Sequence, residues 1–182
     1  MTNKTKESPA VRRRRSVRLR EYDYSQSGAY FVTICTQDRR CLFGEIVDGT
    51  MRLNDTGRIV EDEWLHTPTL RPQVAPDTFV VMPNHFHAIV FITDRRGVLQ
   101  YAPTPRLASP SQTIGAIVRG FKGATTKRIN AFRGTPGQPV WQRNYYEHVI
   151  RNDDDLHATR EYVLNNRLAW ALDRENPTLT CP

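Results

Sequence analysis

Two strand-like segments of this chain are separated by only two residues, Pro83 and Asn84. Residues 74–82 (VAPDTFVVM) and 85–93 (HFHAIVFIT) are rich in the β-branched and aromatic residues that strands favour. A connection of two residues leaves no room for the helical crossover that joins neighbouring parallel strands. The two segments are therefore joined by a tight turn, which argues against the order of a simple Rossmann domain.

The other predicted elements place this turn in the middle of an α+β domain. They are a strand at 29–37, a hairpin at 42–53 around Asp48-Gly49, a helix at 54–66 ended by Pro68, a helix at 111–132, a strand at 140–150 and a helix at 153–172. Four main strands and two helices in this order predict a ferredoxin-like βαββαβ sandwich. The last helix is then an additional, C-terminal element.

Composition divides the chain into an arm, a domain and a tail. We expect residues 1–22, which include four consecutive arginines, to form a flexible basic arm. Residues 23–172 form the folded domain, with a mobile, proline-containing connection at 94–111. Residues 173–182 form a short tail.

The net charge of +7 favours a polyanionic partner. Eight of the first twenty residues are Lys or Arg, which is typical of an arm for nucleic acid, although a localisation or solubility tail is the alternative. The sequence has no apolar run of about 18 residues, so we expect no membrane partner. Three cysteines give no disulfide framework and suggest a reducing, cytoplasmic setting.

Two of the five histidines lie in the strand that follows the tight turn. Residues i and i+2 of a strand point to the same face, so His85 and His87 project side by side while Phe86 and Ala88 face the other way. Two neighbouring imidazoles suit one metal ion, although an edge strand can carry such a pair by accident. A metal site needs at least one further ligand.

The last predicted helix offers a further ligand and a reactive hydroxyl. Tyr162 and Asn166 are one turn apart, so they are neighbours on a face of that helix. The side-chain oxygen of Asn166 is a candidate third ligand for Mg²⁺ or Mn²⁺, which would act as a Lewis acid at a phosphate. Tyr162 is then a candidate nucleophile. Beside them runs an apolar stripe of Leu156, Val163 and Trp170, widened by Leu164 and Leu168.

Three stretches, "MPNHFHAIV", "WQRNYYEHVIRN" and "EYVLNNRLAW", resemble the REP-associated tyrosine transposases. These proteins are relatives of the single-tyrosine HUH transposases of bacterial insertion sequences. The stretch "YSQSGAYFVTICTQDRR" fits their first strand, and the resemblance covers roughly residues 16–170.

The resemblance implies a ferredoxin-like HUH domain, often a homodimer, that cuts single-stranded DNA carrying a hairpin, such as a repetitive extragenic palindrome. It implies that His85, His87 and Asn166 hold the metal and that Tyr162 is the nucleophile. Cleavage would leave a 5′-phosphotyrosine and a free 3′-hydroxyl, and rejoining would follow by reversal. The insertion-sequence relatives carry Gln at the place of Asn166. The side chain of Asn is shorter than that of Gln by one methylene.

Basic and aromatic residues elsewhere are candidates for contacts with DNA. They are Arg12, Arg13, Arg14, Arg15, Arg119, Lys122, Arg143, Tyr145 and Arg151. Three of them, Arg143, Tyr145 and Arg151, are predicted to alternate onto one face of the fourth strand, with solvated charge as an equal alternative. Tyr145 and Tyr146 are also alternative nucleophiles or base-stacking groups, although packed strand aromatics are the more ordinary interpretation.

Three functions fit the sequence. The first is a metal-dependent DNA strand transferase, which predicts covalent protein–DNA adducts through Tyr162. The second is a non-catalytic protein that binds hairpin DNA and descends from such an enzyme; its binding would survive loss of Tyr162. The third is a regulatory nucleic-acid-binding domain in which His85 and His87 hold a structural metal, and the lack of cysteine ligands argues against it.

Overall fold

The computed structural model describes residues 27–93, 113–173 and 176. The predicted basic arm at 1–22, with Arg12 to Arg15, and the whole of the predicted connection at 94–111 lie outside these residues. The division of the chain into arm, domain and tail therefore stays a prediction.

The described elements follow the predicted order of strands and helices. In chain order they are β1 (Gly28–Cys35), β2 (Gly44–Val47), β3 (Thr50–Leu53), α1 (Asp55–Leu65), α2 (Thr67–Leu70), β4 (Val74–Val81), β5 (His85–Ile92), α3 (Ile114–Arg133), β6 (Tyr146–Ile150) and α4 (Asp153–Ala169). A 3₁₀ turn at Gln37–Arg39 follows β1, and a second at Trp170–Leu172 continues from α4.

Four strands form one antiparallel sheet in the order β4-β5-β1-β6. The first and third strands of the βαββαβ order, β1 and β5, are central, and the second and fourth, β4 and β6, are at the edges. Helices α1 and α3 pack on one face of this sheet and α4 packs on the other. The ferredoxin-like prediction with an additional C-terminal helix is confirmed.

Alternation along β1 divides the apolar side chains between two cores. Tyr30 and Val32 point into the larger core, where the rings of Trp64 from α1 and Phe121 from α3 meet at 5.3 Å between centroids. Phe31 points into the smaller core under α4. The sheet face under α4 therefore buries less apolar surface and leaves room for polar side chains.

Local signals fix the helix starts and the hairpin. The side chains of Asn54, Thr113 and Asn152 each accept a hydrogen bond from a first-turn N–H of α1, α3 and α4. Asp48 and Gly49, with φ of 50° and 71°, make the left-handed turn between β2 and β3. Pro68, by contrast, does not end α1; it lies in the first turn of α2. No described helix is long and apolar enough to cross a membrane.

The predicted fourth strand, at 140–150, is wrong over its first half. β6 begins only at Tyr146, and the chain before it makes a single bridge, between Trp141 and Thr36. Arg143, Tyr145 and Arg151 all lie outside this strand, so they do not form the predicted row on one of its faces.

Lys122 of α3 explains why the chain leaves the sheet before β6. Its ammonium donates to the carbonyl oxygens of residues 142, 143 and 144 at 2.8, 3.3 and 3.0 Å. Three consecutive carbonyls around one cation require a curled backbone, which cannot extend along β1. Burial lowers the pKa of this amine to about 8.

The predicted apolar stripe of α4 is too wide. Val163 is buried and Leu156 and Trp170 pack against the smaller core, but Leu164 and Leu168 are exposed. The helix meets the sheet along a narrow line, and the other buried positions on it are polar, Thr159 and Asn166.

We expect Lys122 to titrate at about pH 8 rather than near its usual 10.5, because the folded protein buries the amine. NMR titration of the lysine side chains would measure it, with the Lys122→Met variant identifying the signal. A midpoint near 10.5 would contradict the buried position of this amine.

Candidate active site

His85 and His87 lie side by side on the sheet face that α4 covers. Both side chains are buried, and their ring centroids are 4.5 Å apart. Phe86, between them, points to the opposite face and packs against Trp64. The prediction that the two imidazoles share one face is confirmed.

Asn84, in the turn before β5, orients the first imidazole. Its amide nitrogen donates to the Arg39 carbonyl oxygen at 3.0 Å, which leaves its Oδ1 facing Nδ1 of His85 at 2.9 Å. Nδ1 then donates its proton to this oxygen, and Nε2 is the ring nitrogen that faces α4. That Nε2 lies 3.3 Å from Oδ1 of Asn166 and 3.8 Å from a carboxylate oxygen of Asp173.

The two ring nitrogens of His87 differ in their surroundings. Its Nδ1 lies 2.8 Å from the Thr33 hydroxyl. Its Nε2 is one of two buried side-chain atoms without a hydrogen-bond partner among the described residues; the other is Nε1 of Trp64. Burial, and next the neighbouring His85, lower the pKa of His87 well below its usual value, so the ring is neutral at pH 7.

The arrangement of these groups suits a divalent cation. Nε2 of His85 faces the side-chain oxygens of Asn166 and Asp173, and the buried Nε2 of His87 has no hydrogen-bond partner among the described residues. A cation would satisfy all of them at once. The described residues contain no group of three or more His, Cys, Asp or Glu side chains arranged for a metal ion, so the amide of Asn166 is needed as a third donor.

Helix α4 brings Tyr162 to the rim of the same site. Asn166 is buried beneath the helix, whereas Tyr162, one turn earlier, is 51% exposed. The Tyr162 ring lies 5.3 Å from the ring of His87 and 5.9 Å from that of Phe31, edge-on to both. The tyrosine is therefore open to a large substrate and close to the imidazole pair.

Polar contacts hold α4 to both edge strands of the sheet. Arg160 binds Asp77 of β4 at 2.7 Å, and His148 of β6 binds Asp155 at 3.0 Å. Burial favours the protonated form of Asp155, but bonds from His148 and the Arg151 N–H outweigh it and lower the pKa of Asp155. The helix that carries Tyr162 thus packs on the sheet of its own chain.

Sequence reasoning missed Asn84, Thr33 and Asp173. Asn84 directly precedes the histidine strand, so its position in the sequence could have indicated a contact with His85. Thr33 is identified only by strand register, which pairs it with His87. Asp173 was assigned to the tail, and only the 3₁₀ turn after α4 brings it back to His85.

The predicted DNA-binding residues that are described do not gather around the histidines. Arg119 and Lys122 lie on α3, across the sheet, and Lys122 is already bound to carbonyl oxygens. Tyr145 packs against the larger core and donates to Glu147. Arg143 and Arg151 are exposed at opposite ends of the β6 segment. Their roles in binding DNA stay predictions.

Comparison with other proteins identifies a sequence relative and a solved structure of similar fold. The chain is 41% identical over 177 residues to a protein of Haemophilus influenzae described as uncharacterized, covering 93% of this chain and 97% of that protein. No protein-family model matches. A solved REP-associated tyrosine transposase bound to a REP hairpin has a TM-score of 0.57 at 20% identity, covering 84% of this chain and 73% of that one. This likeness shows that the two share a fold.

We expect Asn84→Ala to weaken Mn²⁺ binding about 10–100-fold, because His85 loses the group that fixes the orientation of its ring. Calorimetric titration of the purified variants with Mn²⁺ would measure the affinity. Asn130→Ala is the matched control, since Asn130 is also a buried asparagine but bonds Gln138 far from the site. Equal affinities for the two variants would exclude the orienting role of Asn84.

Proposed function

The chain belongs to one family with the Haemophilus influenzae protein, and we propose that it is a metal-dependent endonuclease and strand transferase for single-stranded DNA that carries a REP-like hairpin. One observation carries this proposal. Two buried imidazoles, an amide oxygen and a half-exposed tyrosine converge on one face of the sheet. The fold shared with a hairpin-bound transposase supports the same class of substrate.

His85, His87 and Asn166 are the residues that would hold the divalent ion. Neutral imidazole nitrogens and an amide oxygen bind Mg²⁺ or Mn²⁺ less tightly than carboxylates do. Three protein ligands also leave coordination positions open for phosphate oxygens. When bound, the ion supplies Lewis-acid stabilisation of the charge that develops on a phosphate. The Asp173 carboxylate, close to His85, adds negative charge that favours a cation there.

Tyr162 is the proposed nucleophile. Its phenolic oxygen attacks the phosphorus of the scissile phosphodiester, the bond from phosphorus to the 3′-oxygen breaks, and that oxygen takes up the proton that the phenol gives up. The products are a 5′-phosphotyrosine and a free 3′-hydroxyl. Attack by a 3′-hydroxyl on the phosphotyrosine reverses the step and joins two strands, so no external energy source is needed.

The position of Tyr162 suits a polymeric substrate. A strand can reach the exposed phenol without entering a closed pocket, and the net charge of +7 attracts a phosphate backbone. A homodimer, which the family resemblance implies, stays a prediction.

We expect wild-type protein to form a covalent adduct with labelled single-stranded hairpin DNA in Mg²⁺ or Mn²⁺, and Tyr162→Phe to form none. The adduct is measured as a slow, protease-sensitive band on a denaturing gel that chelator abolishes. The DNA is taken from beside the gene of this protein. Tyr30→Phe is the matched control, because it removes a hydroxyl that is buried in the larger core and should leave the adduct intact.

Other outcomes assign the function differently. An adduct that persists in Tyr162→Phe but disappears in Tyr146→Phe would transfer the nucleophile to Tyr146. Hairpin DNA that is retained on a native gel by a protein that forms no adduct would favour the non-catalytic binding protein.

A further inference from the structure

Tyr146 lies on the same sheet face as the histidine pair, although neither the fold nor the proposed chemistry requires it there. Strand register pairs Thr33 of β1 with His87 on one side and with Tyr146 of edge strand β6 on the other. Because directly paired residues of neighbouring strands point to the same face, His87, Thr33 and Tyr146 form one row across the sheet.

A buried ring connects Tyr146 with the site. Phe31 stacks on His87 at 5.4 Å with 27° between the ring planes. The same Phe31 meets Tyr146 edge-on at 6.3 Å and Tyr162 edge-on at 5.9 Å. Two tyrosines therefore flank one buried phenylalanine, with their rings at most about 12 Å apart.

Exposure distinguishes Tyr146 from the tyrosine beside it. Tyr145 packs against the larger core and its hydroxyl donates to Glu147, so its ring has a structural role. Tyr146 is 49% exposed at the edge of the sheet, on the face that α4 and Tyr162 cover. A single exposed aromatic ring is common on a protein surface. Tyr146, however, contacts the same buried ring as the proposed nucleophile, and chance exposure does not explain that position.

We propose that the ring of Tyr146 is a stacking surface for one base of the single-stranded DNA whose phosphate reaches Tyr162. This inference rests on the proposed function and deepens it. Stacking on an aromatic face is open to any base, but the base must be unpaired, since in a duplex its two faces are covered. Tyr146 thus selects an unpaired nucleotide near the cleaved phosphate and fixes the register of the strand.

The test uses a protein that binds DNA without cutting it. In a Tyr162→Phe background, a synthetic hairpin with an unpaired flank carries the fluorescent base 2-aminopurine at each flank position in turn. We expect one position to be quenched on binding in Mg²⁺, because its base stacks on Tyr146. Tyr146→Ala should remove that quenching and weaken binding about ten-fold, since base–aromatic stacking contributes on this order.

Three further variants make the result specific. Tyr146→Phe keeps the aromatic face and should retain both quenching and affinity. Tyr146→Leu keeps apolar bulk on β6, so it separates loss of stacking from loss of folding, and it should behave like Tyr146→Ala. Phe132→Ala removes an aromatic ring that is 60% exposed on α3, across the sheet, and should change neither.

The outcomes separate this inference from the function on which it rests. If protein with Tyr162 intact forms the adduct while Tyr146→Ala and Tyr146→Leu bind and quench like their parent, only the stacking role is overturned. If the Tyr162→Phe parent binds no single-stranded hairpin DNA, both proposals are overturned.

Discussion

The hydrogen bonds of the Asn84 side chain are the constraint on which the histidine site depends. One amide couples a carbonyl of the turn after β1 to the ring of His85, and so determines which nitrogen of that ring faces α4. The Arg39 that supplies this carbonyl has φ of 53°. A left-handed backbone costs an L-residue roughly 1–2 kcal/mol. The chain accepts this cost beside the site, where the carbonyl serves as an acceptor.

The position of helix α4 on the sheet is determined more by specific polar contacts than by apolar burial. The pairs Arg160–Asp77 and His148–Asp155 are partly exposed, so each adds little to stability. Because they attach the helix to opposite edges of the sheet, they fix where it lies. Val163 supplies the apolar contact between these attachments.

Much of this architecture was predictable because its signals are local. The two-residue turn at Pro83-Asn84, the helices that begin near Asn54 and Asp153 and the hairpin around Asp48-Gly49 each depend on neighbours in sequence, and each prediction is confirmed. The side-by-side histidines follow from strand periodicity alone. The family resemblance brought Tyr162 and Asn166 to the same site, and the helix does lie over the histidines.

The errors arose where distant residues decide the local structure. The residues before β6 have strand-like composition, but Lys122, some twenty positions earlier in the sequence, binds their carbonyls and curls the chain. Leu164 and Leu168 match a helical stripe, yet the surface that α4 covers is too narrow to bury them. Asp173 returns to His85 only because a 3₁₀ turn follows α4. Neither periodicity nor composition contains this information.

Tyr162 and Asn166 occupy successive turns of one helix, one at the surface and one beneath it. In the proposed enzyme, a displacement of α4 from the sheet would withdraw the attacking hydroxyl and an oxygen ligand of the ion together. The site would then not hold the ion without the nucleophile, nor the nucleophile without the ion. The docking of a single helix on the sheet would therefore control the activity. The protein would not cleave DNA until that helix is in place.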